Sequence, residues 1–284
     1  MADLHRRSFL GIALALTLLV GCSTSVPVPK TSPTGSIRAQ LDEAIKIIAN
    51  GSDKLGVFIL DLNSGETYSH NGEYASQNAS MIKPMIVLMA LRKAAADGGT
   101  PTNEQLELAA KAIRESDNDA ASTLWEYAGG ADAYQALAAD LGMENTHRQD
   151  GKPDWSWTWT TPEDQVALVT ALAEGNAALP DSDREFVFNL MAEVKEDQTW
   201  GVGTPRLNAE TAKDALEVHL KNGWVQFKSS DGLWAVNSMG QLEGEGRHYR
   251  LAIMSRTPDF DTGRETASAI GQWVYNILGT GSLD

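Results

Sequence analysis

Ser80-Met81-Ile82-Lys83-Pro84-Met85-Ile86-Val87-Leu88-Met89 is the stretch from which the rest of this 284-residue chain is read. Past Lys83 it is apolar nearly all round, which predicts a helix buried on every side, over Met81 to Ala95, stopped by Gly98-Gly99. A lysine at the head of such a helix needs a partner. Ser80 lies three residues before Lys83 and so shares its face. A buried ammonium has a depressed pKa, and its neutral form can take the proton of a neighbouring hydroxyl. The helix start adds a partial positive charge and a free backbone N–H where an oxyanion would form. The plainer alternative makes Ser80 a helix cap and Lys83 a solvated charge.

Two further elements follow in order. Ser116-Asp117-Asn118 falls in a loop between two predicted helices, Asn103 to Glu115 and Ala120 to Ala128. Its hydroxyl can relay a proton to a leaving amine, and its Asn amide can hold Lys83 and a substrate carbonyl. The competing reading is a cap for the second helix. Lys221-Asn222-Gly223 falls on a predicted strand, Val218 to Phe227. Its lysine offers a charge to a carboxylate, and its glycine lets a substrate backbone come close. The competing reading is an Asn-Gly hairpin turn. Each pattern is common alone, but the order is not. S-x-x-K occurs once, one S-x-N follows it, and one K-x-G follows that.

The two ends of the chain share a style that the middle lacks. Ile37 to Ala49 has helical spacing, Leu55 to Leu62 reads as a buried strand, and Asn63-Ser64-Gly65 turns it into a short return over Glu66 to His70. Near the other end, Val218 to Phe227, Leu233 to Met239 and Arg247 to Arg256 are β-prone, with a closing helix over Glu265 to Ile277. Between them the chain is Ala- and Leu-rich and helical, with further helices over Ala133 to Leu141, Thr161 to Glu174 and Asp183 to Val194. The expected fold class is α/β (α+β). An antiparallel sheet, its strands joined by short turns, is flanked by N- and C-terminal helices, and an all-helical domain is inserted. The expected boundaries put the α/β domain at 37–72 and 205–284 and the helical domain at 73–204.

Arg6 and Arg7 precede an apolar run from Phe9 to Val20 that ends in Gly21-Cys22. This reads as a signal peptide over 1–21, of either the twin-arginine or the general secretory kind. Leu19-Val20-Gly21-Cys22 resembles the bacterial lipobox, which makes Cys22, the only cysteine, the expected lipidation site. Ser23 to Ser36 reads as a flexible tether, so 22–36 would join a lipid anchor to the body outside the cytoplasm. A formal net charge of −15 argues against nucleic-acid binding. The five His residues show no metal-ligand spacing and no Gly-rich phosphate loop is evident, so neither metal nor cofactor is expected.

The ordered elements resemble the class A β-lactamase and penicillin-binding superfamily of serine hydrolases over about the whole mature body, Thr160-Thr161-Pro162 included. The resemblance implies Ser80 as acylated nucleophile, Lys83 as base, Ser116 as proton shuttle, Asn118 as positioning amide and Lys221 as carboxylate binder. It also implies an oxyanion hole from the backbone N–H groups of Ser80 and Trp224, next to Gly223. The substrate would be a small molecule or cell-wall peptide, and the protein a monomer. The chain departs from the family in four places. Arg148 to Thr160 holds Asp150 and Asp154 but no Glu to activate a deacylating water. The stretch between Ser80 and Ser116 is short. Asn222 and Trp224 replace smaller residues. Leu233 and Trp234 stand where many relatives carry an arginine. These departures imply weak or absent β-lactam turnover, or a fold kept for binding alone. A solute-binding lipoprotein would fit the leader but not the motifs. Trp155, Trp157 and Trp159 alternate, as a lid or as buried packing.

Overall fold

A computed structural model describes residues 26–152, 154–208, 215–226 and 231–284. Cys22 and the signal-peptide region lie outside the described residues. The described part of the tether lies against the body, with Pro29 and Pro33 buried.

Helix α1 (Ile37–Ala49) is capped by the Ser36 hydroxyl, which accepts from Ala39 N, and ends at Asn50 in the left-handed conformation. Its buried residues Ile37, Leu41, Ala44, Ile45 and Ile48 are those the helical spacing picks out. Strands β1 (Leu55–Asp61) and β2 (Thr67–His70) form the first hairpin. The next strand, β3 (Ser76–Gln77), leads into a 3₁₀ turn over Ala79–Ile82 and then the central helix α2 (Lys83–Ala96), whose residues Lys83 to Leu91 are all buried. Around α2 come α3 (Asn103–Arg114), α4 (Asn118–Ala128) and α5 (Gly130–Asp140). Two short strands follow, β4 (His147–Arg148) and β5 (Thr158–Thr160), the second preceded by a 3₁₀ turn over Trp155–Trp157. Helix α6 (Pro162–Glu174) begins as its sequence predicts, with a Thr161 cap, Pro162 in the first turn and Glu163 beside it. Helices α7 (Asp181–Ala192) and α8 (Thr204–Asn208) lead to β6 (Glu217–Gln226), β7 (Trp234–Gly244), β8 (Arg247–Thr257) and the closing helix α9 (Phe260–Leu278).

The main sheet is antiparallel throughout, in the order β2-β1-β8-β7-β6. Its last three strands are consecutive antiparallel neighbours, and the first pair closes onto β8, so the two chain ends build one sheet. Side-chain alternation then divides the interior in two. On β8, Leu251 and Ile253 face α1 and α9, whereas Ala252 and Met254 face the core built around α2. The expected antiparallel sheet with flanking terminal helices and a helical insertion is what forms. Within the helical block the chain also makes a second small sheet, β3-β5-β4, that no periodicity announces.

Candidate active site

The turn that carries Ser80 is held from both sides. Asn78 N donates to Thr158 O at 2.9 Å, and Asn237 Nδ2 donates to Gln77 O at 2.8 Å, so β5 and β7 together fix the approach to the turn. Ala79 then takes φ 51°, a left-handed backbone that costs a non-glycine residue roughly 1–3 kcal/mol and persists only where its surroundings impose it. Residues 79–82 form a 3₁₀ turn instead of the first turn of an α-helix. The change matters little to the pairing, because a 3₁₀ repeat of three places residue i over i+3. Ser80 is 8% exposed, and its hydroxyl has no hydrogen-bond partner among the described residues.

Lys83 is fully buried, so the solvated-charge reading fails. Its Nζ donates to Ser116 O at 2.5 Å, to Asn118 Oδ1 at 2.8 Å and to Ser116 Oγ at 3.2 Å. Every partner is neutral. Burial therefore dominates and lowers the pKa to about 7, with the more distant Asp117 carboxylate opposing it weakly. The Trp155 ring closes over the ammonium, 5.2 Å from its centroid. Both readings of Ser116-Asp117-Asn118 hold together. Asp117 caps α4 by accepting from Ala120 N at 2.7 Å, and that cap turns Ser116 and Asn118 toward Lys83. Ser116 sits at φ 56°, a second left-handed residue in the same wall.

Lys221 enters from the sheet. Strand β6 runs straight through Lys221-Asn222-Gly223, which excludes the hairpin-turn reading. The Lys221 ammonium is fully buried and donates to Ser116 Oγ at 3.0 Å and to Asn222 O at 2.9 Å. Burial, reinforced by the Lys83 charge, holds its pKa well below the ordinary lysine value. Gly223 is required by close approach. A Cβ there would sit 2.7 Å from Met81 N and 2.8 Å from Ser80 N, so any larger residue would push the strand off the Ser80 turn. Asn222 turns away from the cleft, and its Nδ2 donates to Gln198 O at 2.7 Å and Trp200 O at 3.2 Å. Trp224 lines the cleft but is also part of an aromatic cluster, with ring centroids 5.3 Å from Phe260 and 6.1 Å from Trp200.

Ser80, Ser116, Asn118, Trp224 and Val225 line a cleft of about 370 Å³, whereas Lys83 and Lys221, both fully buried, lie behind its lining and reach it through Ser116. Two residues that the sequence offered only as alternatives, Trp155 and Asp154, also line the cleft. Trp155, 9% exposed, forms part of the cleft wall, and its Nε1 donates to Ser122 Oγ at 3.1 Å. The alternating tryptophans were the available signal, but Trp155 and Trp157 lie on a 3₁₀ turn and Trp159 on β5, so they form no single-faced lid. Asp154 is the one carboxylate among the described lining residues, and it accepts from Ser156 N at 2.7 Å. Asp150 is exposed in the preceding turn and does not line the cleft. Among the described residues no group of His, Cys and carboxylates is arranged to hold a metal ion.

No curated protein matches the chain. Among solved structures it is similar to a class A β-lactamase representative from Bacteroides cellulosilyticus, with TM-score 0.70 and 20% identity over 87% of this chain and 100% of that one. It is similar to a class A β-lactamase from Mycobacterium abscessus, with TM-score 0.67 and 21% identity over 86% and 99%. It is also similar to PBP-A, with TM-score 0.68 and 20% identity over 89% and 100%. At such identities these likenesses establish the fold. The model of the Beta-lactamase enzyme family matches residues 38–107 and 102–278, which include the Ser80 turn, the Ser116 loop and the Lys221 strand. The chain belongs to the beta-lactamase enzyme family.

Proposed function

We propose that the protein is a serine acyl-enzyme hydrolase of the β-lactamase and penicillin-binding type, acting on an amide or ester. The observation that carries this reading is the state of Lys83, a buried amine with only neutral partners, pushed to a pKa of about 7, one turn from a free serine hydroxyl. In the reaction, Ser80 Oγ attacks the carbonyl carbon while neutral Lys83 takes its proton. The backbone N–H groups of Ser80 and Trp224 receive the developing oxyanion, and the close packing of Gly223 on the Ser80 turn supports that pairing. When the tetrahedral adduct collapses, the C–N or C–O bond breaks and Ser116 Oγ–H protonates the leaving group. Ser116 regains its proton from the lysines it touches. Water then adds to the acyl carbonyl, releasing the acid and returning a proton to Ser80. Asn118, whose Oδ1 is occupied by Lys83, keeps its Nδ2 for a substrate carbonyl.

The substrate class is a cell-wall peptide, a β-lactam or a small ester. Turnover of β-lactams is weak or absent in this reading, because Asp154 is a short, exposed carboxylate already engaged as a cap. The location we propose is the cell envelope, through a lipid on Cys22. Labelling with a fluorescent penicillin and with an activated-ester probe tests the reaction. Both labels should be lost in Ser80→Ala, and equal labelling of that variant would refute the nucleophile.

A second reading, a binding protein that has kept the fold, is favoured by the indole of Trp224 at the cleft wall. Reversible binding of muropeptides in native mass spectrometry, with no covalent adduct from any probe, would select it.

A further inference from the structure

Two 3₁₀ turns pack against each other beside Lys83, one carrying Ser80 and the other Trp155. The second is built by local polar groups. Asp154 accepts from Ser156 N at 2.7 Å at its start, and Thr158 Oγ1 donates to Trp155 O at 2.8 Å at its end. Strand β5 then pairs with β3, the strand that leads to Ser80, and Asn78 N donates to Thr158 O at 2.9 Å. The small sheet therefore fixes one turn against the other, and with them the Trp155 ring against Lys83. A further hydrogen bond, from Trp155 Nε1 to Ser122 Oγ at 3.1 Å, ties the ring to α4, the helix that carries Asn118.

The ring stands between the amine and the cleft. Lys83 is fully buried and does not line the cleft, whereas Ser80, Ser116, Asn118 and Trp155 do. Ser116 and Asn118 hydrogen-bond the ammonium, and Trp155 covers it with an apolar face, 5.2 Å from ring centroid to Nζ. Such a face acts in two opposed ways. Its quadrupole favours the charged amine, and its exclusion of water favours the neutral one. Exclusion wins here, because burial is the largest influence on Lys83 and takes its pKa from 10.5 down to about 7. Of the charged groups on the elements around the amine, Asp117 opposes burial, Lys221, which shares Ser116 Oγ with Lys83, adds repulsion, and Asp154 is engaged by Ser156 N.

We propose that Trp155 is a positioning residue for the reaction: its ring shuts the solvent of the cleft away from Lys83 and so holds that amine in its neutral, proton-accepting form. The proposal rests on the acyl-enzyme reading above and names the side chain that prepares its base. It also gives Asp154 and the small sheet a task, which is to hold that ring in place.

Lysines isotope-labelled at Cε report the titration of each amine by NMR, and the Lys83 signal is identified by its loss in Lys83→Met. The wild-type midpoint should lie at about 7. In Trp155→Ala it should rise by at least about one unit as water reaches the amine, and the pH above which acylation by an activated ester levels off should rise with it. In Trp155→Phe, which keeps an apolar ring and loses the bond to Ser122, both should stay within a few tenths of a unit. An unmoved midpoint in Trp155→Ala, or an equal rise in Trp155→Phe, would overturn the proposal. If Trp155→Ala does not fold, the wild type decides. The indole N–H resonance of Trp155 should then titrate with the Lys83 midpoint, and a resonance that stays fixed overturns the proposal. If the midpoints move as expected but no ester acylates Ser80 in any variant, the acyl-enzyme reading falls while the hold of Trp155 on the amine stands.

Discussion

Arg250 and Lys83 are both cations sealed inside the protein, 2% and 0% exposed, and the fold treats them differently. Arg250, on β8, donates to Gln241 Oε1 at 2.9 Å and Thr170 Oγ1 at 3.0 Å, and it meets the Glu174 carboxylate at 2.8 Å. Lys83 receives only two oxygens of Ser116 and one of Asn118. A guanidinium cannot shed its proton inside a protein, so burying one calls for an anion. An ammonium can shed its proton, and burial without a counter-ion makes it do so near neutrality. The structural cation is neutralised, and the cleft cation is left close to losing its charge. A buried lysine with neutral partners is thus a stronger sign of chemistry than burial alone.

The comparison breaks most visibly at Lys83→Met. Labelling by the activated ester should fall about 10³-fold, the range of a lost general base, while the melting temperature should change little, because relief of a buried, poorly compensated charge offsets the hydrogen bonds that Ser116 and Asn118 lose. A clear drop in melting temperature with labelling retained would make Lys83 a structural residue like Arg250. Arg250→Met should do the reverse. Unfolding in urea should show a loss of about 1–3 kcal/mol, since Gln241 and Thr170 lose a donor while the Glu174 side chain, 57% exposed, returns to water. Labelling should be unchanged. The smallest effect is that of pH. A lysine with a lowered pKa is neutral above it and charged below it, so acylation should level off above pH of about 7 and fall about tenfold per unit beneath. A flat profile from pH 5 to 8 would mean that Lys83 does not act as the base.

Long elements with one period were legible in sequence. The first helix ends where Gly51 says it should, and the strand through Lys221 is betrayed by the β-prone Trp224-Val225-Gln226 that follows. The ordering of the three motifs points to one cluster, and the chain brings Lys83 and Lys221 onto Ser116, Lys83 onto Asn118, and Gly223 against the Ser80 turn. What escaped has physical reasons. Strands of two or three residues, such as β3, β4 and β5, are too short to show alternation. The left-handed Ala79 shifts the start of α2 from Met81 to Lys83, and alanine gives no sign of a positive φ. Asn222 reads in sequence only as a larger residue in its motif, and its side-chain direction is set by the tertiary partners Gln198 and Trp200, which lie more than twenty residues upstream.

One hydroxyl, that of Ser116, touches both buried amines, which places them no more than about 6 Å apart and makes them a single titrating unit. Repulsion at that range keeps both from being ionised together near neutrality, so this wall carries at most one positive charge. A guest bearing a negative charge would relieve the repulsion and draw a hydrogen ion in from the buffer as it settles, whereas a neutral guest would not. Proton uptake when an anionic guest binds, and none when a neutral one does, is what this coupling predicts.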